Sequence, residues 1–360
     1  MRSNLTLRHI VAGTALCCLS LPALANKAND TLVYASDSEP ENISPYHNNL
    51  REGVIISHLA WDTLVYRNPE TNDYEPMLAT DWQWVDDTTL EMTLRQGVSF
   101  QNGEPFNADD VVFTFNYVVS PDSKVVTRQN VDWIESVEKI DDTHVRFHLN
   151  GPFPAALEYL SGPLPVFPDQ YFQEVGLEGF SKKPIGTGPY RITEVTPGEG
   201  VKLTRNDDYF ADSPIGKPHI GKLEFKVIPD QDSRVAQLMT GQVDWIWRVP
   251  ADQAEQMQSM PNLTVDSGET MRVAYISFDA ARRENSPLSH LEVRQAINHA
   301  INRQGMADNL VRGGSRPLYA PCFPAQFGCE TQDVVEYAYD PDKARQLLAN
   351  AGYGDGFELD

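Results

Sequence analysis

The feature of this sequence that most restricts its fold is the irregular order of its strand and helix patterns. Apolar and polar residues alternate in three segments, 88–94, 144–149 and 222–228, as they do in half-buried strands. Helical stripes with apolar residues three and four positions apart occupy 111–119 and 291–303. Because no regular strand–helix–strand alternation joins these segments, the sequence predicts an α/β or α+β fold with mixed sheets.

The first 25 residues have the features of an export signal. Arg2 and Arg8 make the start basic, and the apolar run 10–21 is too short to cross a bilayer. Residues 23–25 are Ala-Leu-Ala, which matches the small-residue pattern of a cleavage site. We therefore expect cleavage before Asn26 and a soluble periplasmic product.

The net charge restricts the class of partner. The chain has 51 acidic and 29 basic side chains, a formal charge of -22. Nucleic-acid binding requires a cationic surface, which this composition does not provide. We expect no nucleic-acid partner, and the simplest role for the charge is solubility.

Cys322 and Cys329 are the two cysteines that remain after signal cleavage. An oxidising compartment favours a disulfide between them. Two cysteines without a nearby histidine do not make a zinc site, so we expect no metal there.

No catalytic motif stands out in the chain. The sequence contains no G-x-S-x-G, H-E-x-x-H or P-loop pattern, and the Gly-x-Gly at 186–188 reads as a turn before a strand. His144 and His148 lie on one face of a predicted strand, where we expect them to face solvent. The sequence therefore favours a protein that is not an enzyme and holds no cofactor. A secreted hydrolase stays open because catalytic triads assemble in space.

An aromatic segment offers a candidate binding surface. Trp245 and Trp247 fall on one face of a predicted strand, and Arg248 falls on the other. Two interpretations stay open, a tryptophan pair packed in the core or an aromatic wall and a cation that line a ligand cleft.

Four stretches, in this order, resemble one family of transport receptors. They are ATDWQWVDDTTLEMTLRQGVSFQNGEPFNADDVVFTF (79–115), PIGTGPYRI (184–192), PLSHLEVRQAINHAINRQGM (287–306) and YDPDKARQLLANAGY (339–353). Together they are similar to the periplasmic solute-binding proteins of family 5, the dipeptide, oligopeptide and nickel receptors of ABC importers.

The resemblance implies a two-lobed α/β binding-protein fold of type II with an enlarged lobe I. Lobe I would span 26–269 with an extra subdomain at about 60–170. The hinge and the first part of lobe II would span 270–360. The residue patterns themselves predict strands in this part, at Arg272–Phe278 and Phe357–Asp360. Members of the family are longer, so we expect lobe II to be incomplete in this chain.

The resemblance also implies a function and a site. It implies a monomeric receptor that captures a small solute, above all a short peptide, and delivers it to an inner-membrane ABC permease. Opines, glutathione, haem, nickel chelates and oligosaccharides are the alternative ligands. The resemblance implies binding residues in the loop after the first strand, which contains His47, Asn48, Asn49, Leu50 and Arg51. The pattern of the aromatic segment adds Trp245, Trp247 and Arg248 as candidates. Arg51 and Arg248 are the candidate partners of a ligand carboxylate, because arginine can form two parallel hydrogen bonds with it.

Overall fold

The computed structural model describes residues 29–39, 42–268, 270–281, 286–312, 314–326 and 328–358. The predicted export signal and Asn26 lie outside these residues. The chain divides into two compact units, Met1–Arg248 and Val249–Asp360. The lobe boundary expected near residue 269 stays a prediction.

The described strands all lie in the first unit. They are β1 (Thr31–Ser36), β2 (Val65–Arg67), β3 (Tyr74–Pro76), β4 (Ala79–Asp86), β5 (Thr89–Leu94), β6 (Ile134–Asp141), β7 (His144–Leu149), β8 (Tyr190–Thr196), β9 (Gly200–Arg205), β10 (Lys222–Val227) and β11 (Trp245–Ile246).

The α-helices are distributed over both units. The first unit contains α1 (Arg51–Ala60), α2 (Ala108–Val119), α3 (Ala156–Leu160), α4 (Asp169–Lys182) and α5 (Gln231–Met239). The second unit contains α6 (Ala251–Met257), α7 (Leu291–Ala300), α8 (Arg303–Met306) and α9 (Pro341–Asn350).

The main sheet of the first unit is mixed. Its strand order is β11-β1-β10-β9-β8. Strand β1 runs parallel to β10 and β11, whereas β9 is antiparallel to β10 and β8. This arrangement confirms the α/β fold with mixed sheets, and it brings the carboxyl ends of β1, β10 and β11 to one edge.

A second sheet is built from two hairpins in the order β4-β5-β7-β6. In each hairpin an aspartate closes the turn, because Asp86 Oδ1 accepts from the backbone N–H of Thr88 and Asp141 Oδ1 from that of Thr143, both at 2.8 Å. Alternate residues of β5 and β7 are buried, as the period-2 pattern predicts. Helix α2 packs on β6 and β7, and a capping box of Asn107 and Asp110 begins this helix. Strands β2 and β3 form a separate antiparallel pair.

The Gly-Thr-Gly turn before β8 packs directly against the end of α1. A Cβ on Gly186 would lie 2.0 Å from the Ala60 carbonyl oxygen, and a Cβ on Gly188 would lie 2.4 Å from the Ala60 carbonyl carbon. The Gly188 N–H donates to that oxygen at 3.0 Å, and the Trp61 indole donates to the Ile185 carbonyl at 2.8 Å. Only glycine permits this approach.

A buried carboxyl group lies beside the same turn. Asp62 Oδ2 accepts from the Thr187 hydroxyl at 2.8 Å, and Asp62 Oδ1 accepts from the Tyr209 hydroxyl at 2.9 Å. Burial raises the pKa of Asp62 to about 6, although both hydrogen bonds favour the ionised form. This network joins three distant segments of the first unit.

Helices α7 and α9 form the core of the second unit. Val293, Ala296 and Ala344 are buried, which accounts for the stripes seen in the sequence. The Asp340 side chain caps α9 by accepting from the Lys343 N–H at 2.9 Å, as predicted. Helix α7 ends at Ala300, earlier than the expected 303, because Ile301 has extended backbone angles.

The two strands expected in this unit are not observed. Residues 272–278 have no regular structure, and Tyr275 and Ile276 are 80% and 64% exposed. Residues 357 and 358 are also irregular, and 359–360 lie outside the described residues. Alternation alone does not make a strand, because a strand needs a hydrogen-bonding partner, and no described strand lies alongside either segment. Both predictions are wrong for the residues described.

Candidate functional site

The candidate site lies at the carboxyl ends of β1 and β11, where parallel pairing brings two distant segments together. Tyr34 and Ala35 are in register with Trp245 and Ile246. Helix α1 begins beside this edge with Arg51 and Glu52. We call the following set the β1 edge site: Tyr34, Ser36, Asp37, Arg51, Glu52, Trp245, Trp247 and Arg248.

Arg51 is held in place by polar and aromatic contacts. Its Nη2 donates to the Ser36 hydroxyl at 3.2 Å and to the Tyr34 hydroxyl at 3.4 Å, and it forms an ion pair with Glu52. The guanidinium carbon lies 5.1 Å from the centre of the Trp247 ring, a cation–π contact. The Nε is buried without a partner among the described residues. The protein encloses this nitrogen, so a ligand can reach Arg51 only through the exposed part of its side chain, which is 27% exposed, and Glu52 balances its charge.

Glu52 is the internal counterion of the site. It is buried, and one carboxylate oxygen accepts from the Ser36 hydroxyl at 2.5 Å and also contacts Arg51. The contacts of this oxygen hold Glu52 against Arg51 and orient the guanidinium.

The two tryptophans do not form a core pair. Trp245 is 47% exposed and Trp247 is 38% exposed. The Trp245 ring lies 4.8 Å from that of Tyr34, so this indole is supported from the protein side. The strand ends at Ile246, shorter than predicted, and Trp247 lies beyond it. Exposed, supported indoles favour the aromatic-wall interpretation.

Arg248 occupies an unusual backbone position. Its φ is +60°, in the left-handed region that residues other than glycine rarely adopt. Its Nη1 lies 3.8 Å from Asp37 Oδ2. This long contact leaves the guanidinium, on a half-exposed side chain, able to reach a ligand.

The loop residues are placed less favourably for binding. Asn48 is buried, its amide donates to the Asn42 carbonyl at 2.7 Å, and its Oδ1 accepts from the Leu50 N–H at 2.7 Å. Asn49 is exposed and Leu50 is half-buried. The structure brings Arg51, Trp245, Trp247 and Arg248 to the β1 edge site, while the Asn48 side chain secures the loop itself.

His47 also has a structural environment. The ring is buried, with Nε2 at 2.7 Å from the Ser123 carbonyl and Nδ1 at 2.9 Å from the Ser44 hydroxyl. Burial lowers the pKa of His47, although the bond to the Ser123 carbonyl opposes this. The imidazole is therefore neutral near pH 7 and fixed by its two partners.

Sequence reasoning missed Tyr34, Ser36, Asp37 and Glu52. The signal available for the first three was their position at the end of the first strand, in the stretch Tyr-Ala-Ser-Asp. Glu52 carried no signal, because an acidic residue in a first helical turn is common.

Other candidate groups have ordinary environments. His144 Nδ1 lies 2.9 Å from Asp141 Oδ1, and both His144 and His148 are half-buried on the polar face of β7.

The described residues contain no cluster of three or more histidine, cysteine or acidic side chains placed for a metal ion. The sulfur atoms of Cys322 and Cys329 lie 2.06 Å apart, at bonding distance. Within the described part of the chain, none of the helices has the length and apolarity needed to span a membrane.

Comparison with known proteins decides the family. The model of the bacterial extracellular solute-binding proteins, family 5 Middle, matches residues 73–360. The chain belongs to this family. Family 5 is a family of binding proteins, not of enzymes, and the resemblance seen in the sequence is confirmed.

Individual relatives agree with this assignment. The chain is 28% identical to heme-binding protein A of Haemophilus influenzae (93% of this chain, 64% of the relative) and 30% identical to oligopeptide-binding protein AppA of Bacillus subtilis (90% and 60%). The solved periplasmic binding protein DppA from Helicobacter pylori, in complex with the peptide STSA, matches with a TM-score of 0.77 at 28% identity (91% and 67%). The chain thus has the α/β two-lobed fold class of family 5, and it spans 60–64% of the length of these two curated relatives.

Proposed function

We propose that this chain belongs to the substrate-binding component of an ABC importer. The component captures a short peptide in the periplasm and delivers it to an inner-membrane permease. It acts as a monomer and catalyses no reaction. Support comes from membership of family 5, and from DppA and AppA, whose names or structures refer to bound peptides.

One observation carries the proposal, namely the set of exposed binding groups at the β1 edge site. Trp245 and Trp247 offer aromatic faces to apolar parts of a ligand, and each indole has an N–H that can donate to a peptide carbonyl. Arg248 offers a guanidinium for a carboxylate, with geometry suited to two parallel hydrogen bonds. Arg51 is pre-ordered by Glu52 and Trp247, so little side-chain entropy is lost when a ligand binds.

Calorimetry of the full-length protein with peptides of two to five residues tests this proposal. An uptake receptor should bind near micromolar, about -8 kcal/mol. Trp245 and Trp247 should make tryptophan fluorescence change on binding, and the double variant Trp245→Phe/Trp247→Phe should lose most of that change. Binding of a non-peptide solute alone would reject the peptide assignment and retain the receptor. Turnover of a ligand would reject both.

A second candidate ligand is a planar aromatic acid such as haem. Two half-exposed indoles beside Arg51 and Arg248 suit a flat ring system with carboxylates, and one relative is named a heme-binding protein. Absorbance titration with haemin distinguishes this ligand from peptides. Glutathione, opines, nickel chelates and oligosaccharides complete the panel.

We also infer that the protein is exported through a cleaved signal and that its cysteines pair in the periplasm. The support for pairing is the 5.7 Å separation of the Cys322 and Cys329 Cα atoms, which a disulfide can span, together with the oxidising compartment that export implies.

A further inference from the structure

Asp244 joins β11 to β1 through its side chain as well as its backbone. The Asp244 N–H donates to the Val33 carbonyl at 2.9 Å, and Asp244 Oδ2 accepts from the Val33 N–H at 2.8 Å. In a regular parallel ladder a backbone carbonyl of the neighbouring strand would accept from that N–H. The carboxylate therefore takes the place of a ladder acceptor.

Strand β11 has little pairing of its own. It consists of Trp245 and Ile246 alone, and it is an edge strand of the main sheet. Just before it, the N–H groups of Gln242 and Val243 donate to the Gln237 carbonyl at the end of α5, at 2.9 and 3.3 Å. The segment is thus tied to α5 as far as Val243, and the bonds to β1 begin with the next residue.

The Val33 N–H depends on this carboxylate. Val33 is 2% exposed, and its N–H and carbonyl both bond to Asp244, so the N–H points toward β11. A buried N–H that loses its acceptor destabilises the arrangement that buries it. Without the carboxylate, β11 would have to shift before another group could accept from Val33.

The two exposed indoles of the β1 edge site follow Asp244 closely. Trp245 is the next residue, in register with Tyr34, and their rings lie 4.8 Å apart. Trp247 is two residues further on, with its ring centre 5.1 Å from the guanidinium carbon of Arg51. A displacement of Asp244 would therefore move both aromatic faces.

We propose that Asp244 is the positioning residue of the two indoles, and that it thereby sets a preference for ligands with an aromatic group. This inference rests on the proposed function. Asp244 acts through Trp245 and Trp247 and does not touch the ligand. It supplies a hydrogen-bond acceptor at a fixed position, so asparagine, whose Oδ1 can accept at the same place, should replace it.

Calorimetry of the full-length protein with Ala-Phe, Ala-Ala and haemin tests the inference. The two dipeptides have the same charged ends and differ by one phenyl ring. Asp244→Ala should weaken binding of Ala-Phe and haemin about 10-fold, the usual cost of losing one aromatic anchor. Binding of Ala-Ala should weaken less than about 3-fold, because this ligand has no ring to place against the indoles. Asp244→Asn should retain wild-type affinity for all three ligands.

Amide hydrogen exchange of the ligand-free protein gives a second readout. The Val33 N–H should exchange at least about 10-fold faster in Asp244→Ala, since a buried donor loses its acceptor, and at the wild-type rate in Asp244→Asn. The matched control is Asp86→Ala, because Asp86 Oδ1 also accepts from a backbone N–H at 2.8 Å, that of Thr88 in the second sheet. This variant should leave Val33 exchange and all three affinities unchanged.

The pattern of losses separates positioning from a general structural role. Equal weakening for Ala-Phe and Ala-Ala, equal weakening in Asp244→Ala and Asp244→Asn, or wild-type behaviour of Asp244→Ala would overturn the inference and leave the receptor in place. If Asp244→Ala does not fold, Asp244→Ser, whose shorter side chain does not reach the Val33 N–H, takes the same measurements. Failure of wild type to bind haemin or any peptide of two to five residues would instead overturn the proposed function.

Discussion

Replacement of Asp62 by asparagine should change how the stability of the first unit depends on pH. Asp62 is 2% exposed, and burial raises its pKa from 3.8 to about 6. The folded chain therefore holds this proton more tightly than the unfolded chain, so protonation favours folding. The contribution is complete below pH 3.8 and is lost as the pH rises through about 6.

The magnitude follows from the two pKa values. The full difference corresponds to about 3 kcal/mol, of which about 2 kcal/mol falls between pH 4.5 and pH 7.5. Asparagine has nearly the same shape and cannot ionise in this range. The free energy of unfolding of wild type minus that of Asp62→Asn should thus fall by about 2 kcal/mol from pH 4.5 to pH 7.5.

Urea unfolding followed by tryptophan fluorescence measures this difference. All six tryptophans lie between Trp61 and Trp247, so their emission reports on the first unit. Asp73→Asn, at an exposed loop position, is the matched control and should run parallel to wild type across the pH range. Parallel curves for Asp62→Asn and wild type would refute the reasoning.

Three further outcomes are expected. N-terminal sequencing of periplasmic protein should begin at Asn26, and an unprocessed or acylated chain would contradict the export signal. Alkylation without reductant should label neither Cys322 nor Cys329, and their replacement by serine should destabilise the second unit by about 2.5 kcal/mol, from the loop length alone. Phe115→Ala should lower the free energy of unfolding of the first unit by about 3–5 kcal/mol, since this ring is fully buried against Phe147; a loss under 1 kcal/mol would contradict that packing.

Local patterns were sufficient for much of the fold. Alternation at 89–94 and 144–149 identified β5 and β7, and Asn107 and Asp340 identified the starts of α2 and α9. These features depend on residues within a few positions of one another, so short-range rules capture them.

Features that depend on distant parts of the chain could not be predicted from local sequence patterns. The segment 272–278 has the pattern of a strand, but pairing is decided by residues far away in the chain. The β1 edge site has the same origin, because the Val33 N–H bonds to Asp244, 211 positions later, and this pairing puts Trp245 beside Tyr34. Glu52, which carried no signal in the sequence, therefore became visible as part of the site only in three dimensions.

The glycine turn against the end of α1 has a consequence for sorting such proteins by cargo. Contact with the Ala60 backbone requires glycine at positions 186 and 188. The stretch 184–192, which resembles the family, therefore reflects a steric requirement of the fold. Two chains can match at both glycines and still transport different molecules. Under the proposed function, cargo is better compared at exposed positions of the β1 edge site, such as Trp247 and Arg248.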